Sequence, residues 1–185
     1  MRKKEGWVNV DKFAACEPDQ IADLEALPWP WPDSSVDEVA LIHVLEHVGQ
    51  QVDTYLGIIK ELWRVCRDGA RIEIQVPHFR HDNFVIDPTH VRPIHPESFL
   101  HFSVRRNLEW RRVGSPATPL ALYLGVDFEF KSARYDLTPE WVERLRQGMS
   151  QADVSQAVRT YSNVVMDCEI ILEVVKAPRP IGPPQ

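Results

Sequence analysis

Three groups of residues have types and spacings that could do chemistry. Asp11 closes the β-rich run Trp7-Val8-Asn9-Val10, and Asp23 closes a weaker run, Gln20-Ile21-Ala22. A carboxylate at the carboxyl end of a strand suits a ribose, because it accepts hydrogen bonds from both hydroxyls, and Asp23 could accept from an adenine amino group. Taken alone, each is more often a turn residue or a helix cap. The second group is His43-Val44-Leu45-Glu46-His47, an HxxEH spacing in which two histidines one helical turn apart can hold zinc while the glutamate acts as base. It follows directly on an apolar strand with no evident distal third ligand, so no metal is expected. The alternative is that His43 ends the strand and Glu46-His47 begin a helix. The third group puts His78, His81, Asp87 and His90 after another strand's carboxyl end, the edge at which open α/β sheets bind ligands. Histidine there is a natural proton acceptor near neutral pH. The spacing also permits a two-histidine, one-carboxylate metal site, and a structural role, bonding loop backbone, is equally open.

The elements that must position these groups are marked by their periodicity. Glu38-Val39-Ala40-Leu41-Ile42 is a continuous apolar strand of the kind buried in parallel sheets. From Asp53 to Arg67, Leu56, Ile59, Leu62, Trp63 and Cys66 recur at three and four, an amphipathic helix expected to end at Asp68-Gly69 with glycine as its left-handed cap. Arg71 to Val76 alternates and stops at Pro77, so strand, helix and strand form a βαβ unit. Leu27 to Ser35 carries prolines at every second position and predicts a stiff connection with its tryptophans folded onto the core, in preference to a partner-binding proline-rich ligand. Further on, a short helix starts at His95-Pro96, a strand covers Val126–Phe130, and a helix opens at Thr138-Pro139 and runs to Gly148. Ser150-x-x-Asp153 has capping-box form, and Cys168–Val175 is a last strand.

Composition bounds the class. A chain of 185 residues with 44% apolar and 26% charged residues predicts one core and one domain over 1–176, followed by a disordered Pro-rich tail at 177–185. A net charge of −6 disfavours a broad nucleic-acid surface. No apolar run approaches the ~18 residues of a membrane span. Three scattered cysteines suggest neither a disulfide framework nor a cysteine zinc site, and a cytoplasmic domain is expected.

The order of short motifs is more specific than any of them. Gly-Trp-Val-Asn-Val-Asp (6–11), Asp-Leu (23–24), Leu-Pro-Trp (27–29), Pro-Asp-Ser-Ser-Val-Asp (32–37), His-Val-Leu-Glu-His (43–47), Glu-Leu-Trp-Arg-Val-Cys-Arg-Asp-Gly (61–69) and Asp-Pro-Thr-His (87–90) follow one another. The series, over residues 6 to 102, resembles class I S-adenosylmethionine-dependent methyltransferases of the type 11 methyltransferase domain group. The resemblance implies an α/β Rossmann-like sheet with helices on both faces and S-adenosyl-L-methionine as cofactor. Asp11 would then hold the ribose hydroxyls, and Asp23 with the Leu24 backbone would meet the adenine. His43, Val44 and His47 would line the methionine and methyl end. His78, Asp87 and His90 would face the acceptor, with His90 the first candidate for a base. The acceptor, an O or N atom on a small molecule, glycan or protein, is not named by the motifs. Trp110, Arg111, Arg112, Tyr123 and Phe128 are types that could line its pocket and equally types that build a core and a surface.

The chain departs from that pattern in one large respect. The family opens with a strand and a glycine-rich turn against the cofactor, whereas only five residues precede Gly6 and none of the eight glycines forms a G-x-G. That first strand is the central one of the fold, so the sheet is expected to lack its middle. Val36 and Ala70 replace a usual aromatic and a frequent glycine. The chain then either starts late relative to an ordinary enzyme, or is an interaction module derived from a methyltransferase. In the second case the remaining strands close up, or a homo-oligomer or partner chain completes the sheet. An HxxEH-type zinc hydrolase is the third alternative.

Overall fold

The computed structural model describes residues 5–177, so the expected tail lies, apart from Ala177, outside the described residues. Two short parallel strands, β1 (Val10–Asp11) and β2 (Gln20–Ile21), pair with each other, Val10 opposite Gln20 and Asp11 opposite Ile21. A separate sheet holds β3 (Val36–Ile42), β4 (Cys66–Pro77), β5 (Phe128–Leu137) and β6 (Val165–Val174) in the order β3-β4-β6-β5. β3 and β4 are parallel, and β6 lies antiparallel between β4 and β5. Among the described residues β3 pairs with β4 alone. The sheet is therefore broken between the β1–β2 pair and β3, where the central strand was expected to be missing.

The four-stranded sheet is held by its own alternation. Ile72, Ile74 and Val76 of β4 and Cys168, Ile170, Leu172 and Val174 of β6 are buried, and their sequence neighbours, Pro77 apart, are the more exposed ones. The helix α1 (Val52–Val65) lays Tyr55, Ile58, Ile59, Leu62 and Val65 on this core, each such side chain contributing about 1.5–3 kcal/mol. Its end differs from expectation. The helix stops at Val65 because Cys66, already extended, pairs with Val36 and begins β4. Gly69 is no helix cap; its φ of +75° serves the irregularity in which residues 67–70 pass between the pairs Val36–Cys66 and Glu38–Arg71.

After β4 come a short helix, α2 (Asp82–Ile86), a 3₁₀ turn at Pro96–Phe102, α3 (Val104–Arg112) and α4 (Leu120–Leu124). β5 starts two residues later than expected and runs on to Leu137, because its pairing with β6 continues as far as Leu137–Val165. Between β5 and β6 lie α5 (Pro139–Arg146) and α6 (Gln151–Thr160), and the expected cap is made: Ser150 Oγ accepts from the Asp153 N–H at 3.1 Å. This is the helical insertion expected between the later strands. Phe128 is core and Tyr123 is 71% exposed, so these two do not share a pocket wall. No described helix is long and apolar enough to cross a membrane.

The proline-rich connection folds as expected. Trp29 is buried, edge-on to Trp31 at 5.6 Å. The Trp29 N–H donates to Glu61 of α1, and Arg64 donates to the carbonyls of Trp29 and Trp31. The indoles face the other way: Trp29 Nε1 donates to Leu24 O and Trp31 Nε1 to Gln20 Oε1, both at 2.9 Å. These tryptophans fasten the β1–β2 pair to the core.

Candidate active site

Each parallel strand delivers a polar side chain at its carboxyl end. Asp11 ends β1, and its Oδ1 accepts from the Phe13 N–H at 2.8 Å. Asp23 follows β2 and accepts from the Glu25 N–H at 2.9 Å. Both carboxylates thus make the turn bonds of the structural reading, which fixes their orientation. Leu24 offers its N–H rather than its carbonyl, since the carbonyl is taken by Trp29.

His43 follows β3 with a φ of +52°, a left-handed conformation uncommon outside glycine. Its N–H bonds Gln75 of β4, so the strand pairing extends to this residue and the chain must then turn sharply. Leu45–His47 is one 3₁₀ turn, with His43 outside it. The helical arrangement required by an HxxEH zinc hydrolase is consequently not formed. Instead Glu46 points inward, 1% exposed, with Oε1 at 3.3 Å from His43 Nδ1. That hydrogen bond raises the pKa of His43, against the opposing effect of burial. Val44 packs against the core and His47 is half-buried.

The segment after β4 separates its histidines. His78 is buried among Phe79 and Tyr135, and its Nδ1 accepts from the Arg80 N–H. Burial, then the nearby His95, Arg80 and His81 charges, pull its pKa down to about 4, so it is neutral at pH 7. His81 caps α2 by accepting from Asn83 N–H. His90 lies elsewhere, stacked on Phe84 and edge-on to His47 with ring centroids 4.6 Å apart. Its Nδ1 donates to Phe84 O at 2.9 Å, and Asp87 Oδ2 stands 3.8 Å from its Nε2. The Thr89 hydroxyl and N–H both donate to Asp87, which lowers the pKa of that carboxyl. The backbone N–H groups of Val91 and Arg92 bond Glu46 O, and an Arg92 guanidinium N–H donates to Gly49 O. His90, Asp87, His47 and Glu46 are thereby brought together, and His78 packs apart from them. Thr89 is the member that no sequence assignment included, and Glu46 had a part only in the zinc reading, as its base. Their signals were present in His-Val-Leu-Glu-His and Asp-Pro-Thr-His.

The residues present fit an S-adenosyl nucleoside in part. Acidic groups of the kind that ribose hydroxyls and an adenine amino group can bond stand at or just after the ends of β1 and β2, while no glycine-rich cradle is found among the described residues.

In sequence, residues 5–74 match the family model described as a methyltransferase domain. The match contains Asp11, Asp23, Leu24, His43, Val44 and His47 and stops short of His78, Asp87 and His90. No curated protein matches the chain. Among solved structures, a SAM-dependent methyltransferase from Archaeoglobus fulgidus is 20% identical over 89% of this chain and 74% of that one, with a TM-score of 0.52. A SAM-dependent methyltransferase from Methanosarcina mazei is 15% identical, covering 84% and 66%, with a TM-score of 0.45. A 16S rRNA (adenine(1408)-N(1))-methyltransferase from Catenulisporales acidiphilia is 18% identical, covering 89% and 65%, at 0.45.

Proposed function

From the premise that this chain has the fold of the class I S-adenosylmethionine-dependent methyltransferases, and matches their domain model over residues 5–74, we propose that it transfers a methyl group to an O or N atom of a small molecule, glycan or protein. The observation that carries this reading is the set of polar side chains at the carboxyl ends of consecutive parallel strands: Asp11, Asp23, His43 and, after β4, the His78–His90 segment.

The cofactor would supply an electrophilic methyl on a sulfonium. Asp11 would accept the ribose hydroxyls, and Asp23 with the Leu24 N–H would meet the adenine edge. Val44, with His43 and His47 on either side of the turn, would border the methionine end. Such chemistry asks mainly for in-line positioning and exclusion of water. Where the acceptor must lose a proton, His90 is suited to take it, because its Nδ1–H is held by Phe84 O and the Asp87 carboxylate would stabilise the imidazolium. His78, neutral and buried, would shape the acceptor side. The chain acts as a single domain over 1–176 and works in the cytoplasm, in keeping with its free Cys16, Cys66 and Cys168.

Calorimetric titration with S-adenosylhomocysteine tests the reading. Saturable binding by the wild-type chain, lost in Asp11→Ala without a change in circular dichroism, supports it; a folded chain that binds nothing contradicts it.

A second reading is favoured by the open edge of β3. Among the described residues no strand is paired to that edge, so its N–H and C=O groups form a template for an added strand, from another copy or another chain. The protein would then be an interaction module without cofactor affinity, and light scattering would show a stable dimer or complex.

A further inference from the structure

One feature of the histidine cluster is left unexplained by methyl transfer. A carboxylate oxygen of Glu46 and one ring nitrogen each of His47 and His90 lie within 4.8 Å of one another. Glu46 Oε2 is fully buried and has no hydrogen-bond partner among the described residues. A desolvated carboxylate oxygen left in that state is costly, and buried charges are ordinarily paired or bound to metal.

The ring tautomers follow from the neighbours. The Thr89 hydroxyl has one proton, which goes to Asp87 Oδ1 at 2.6 Å. In its 2.9 Å contact with His47 Nδ1, Thr89 can therefore only accept, so that ring carries its proton on Nδ1. The Phe84 carbonyl imposes the same tautomer on His90. Both rings are anchored through Nδ1–H to an oxygen and keep a bare Nε2, which is how metal-binding histidines are usually oriented. Two backbone bonds from Val91 and Arg92 to Glu46 O, at 2.8 and 3.2 Å, hold the two segments in register.

We propose that Glu46, His47 and His90 bind one divalent transition-metal ion of the zinc type, with Thr89 and Asp87 orienting His47. Two imidazoles and a carboxylate suit zinc, cobalt or nickel better than the all-oxygen preference of magnesium or calcium. Three protein ligands leave a coordination position in which an oxygen of a bound molecule could sit, and Asp87 Oδ2, 3.8 Å from His90 Nε2, borders it. The arrangement is not the HxxEH one, because His43 stays outside as a partner of Glu46 and the third ligand comes from the loop after β4. An ion on His90 Nε2 excludes proton uptake there, so in the loaded protein His90 holds metal and is not a base.

The test uses the full 185-residue chain, stripped with a chelator and carrying Cys16→Ser to remove the exposed thiol. Cobalt(II) chloride is titrated with the visible absorption as readout, zinc chloride by calorimetry, both without any S-adenosyl compound, so that loss of cofactor binding and loss of metal binding are read separately. The expected result is one ion per chain, binding weakened more than about a hundredfold in His47→Gln and His90→Gln, and roughly tenfold in Thr89→Val. His101→Gln, whose ring bonds Thr118 O, should bind as the parent does. No stoichiometric uptake by the parent chain overturns the proposal. So does undiminished uptake by a His47→Gln chain with unchanged circular dichroism, and that variant decides alone if His90→Gln fails to fold.

Discussion

In the four-stranded sheet, β4 and β6 bury an unbroken row of side chains under α1, and every strand is bonded to its neighbour through at least six paired residues. In the β1–β2 pair, two residues of each strand meet, none of the four is buried, and Ile21 is 62% exposed. Among the described residues no sheet ladder joins the second piece to the first, and the indole N–H groups of Trp29 and Trp31 and the Gly49 N–H to Glu25 bond tie its surroundings to the core. The piece expected to hold the nucleoside is thus the one with the shorter ladder and the more exposed strands. Ligand-binding elements are commonly drawn from this low-stability end of a fold, and binding energy then does part of the ordering.

Substitutions should separate the two pieces. The largest effect is expected in the four-stranded sheet: Ile74→Ala, at a position with no exposure, should lower unfolding free energy by about 2–5 kcal/mol in urea titrations. Val10→Ala in β1 should cost less than about 1 kcal/mol in the same measurement. Equal losses would mean that the pair is as integral to the core as β4.

The next effect is a pH dependence. His78 has a folded pKa of about 4 against an ordinary 6.5, so between these values the unfolded chain binds the extra proton and stability rises with pH, by up to about 3 kcal/mol. His78→Gln should flatten that rise. His43 has the opposite sign: its pKa is raised by Glu46, so its contribution is complete below pH 6.5 and is lost as pH climbs through the raised value. His43→Gln should remove a decline on the alkaline side and leave the acid side unchanged. Urea midpoints from pH 4 to 8 would show both.

The smallest effect is the most diagnostic. Trp31→Phe deletes the bond to Gln20 Oε1 and should cost only about 1 kcal/mol, yet weaken S-adenosylhomocysteine binding severalfold by loosening β2. A variant with unchanged affinity would show that this tie does not position the pair.

Much of this was legible in the residues. The alternation of Arg71–Val76, the three-four spacing of α1, the cap at Ser150 and the tryptophans of the proline-rich segment all act locally, and all are found where their periods place them. The break in the sheet was legible too: among the described residues the β1–β2 pair stands apart and β3 is paired on one edge only, with β4. The end of α1 was not legible, since Cys66 answers to its pairing with Val36 and Gly69 to the register shift. Nor was the convergence of Glu46, His47 and His90. His90 reaches that turn through backbone bonds between residues more than forty positions apart, and a spacing rule confined to five residues sees only His43 and His47.

We expect the weakly held β1–β2 pair to be ordered by a bound S-adenosyl compound. Hydrogen exchange followed by mass spectrometry, with and without saturating S-adenosylhomocysteine, tests it directly. Residues 9–11 and 20–24 should exchange rapidly in the free chain and slow markedly with ligand, while β4 and β6 are protected throughout. Protection of the pair equal to that of β4 in the free chain, or no change on adding ligand, would contradict it.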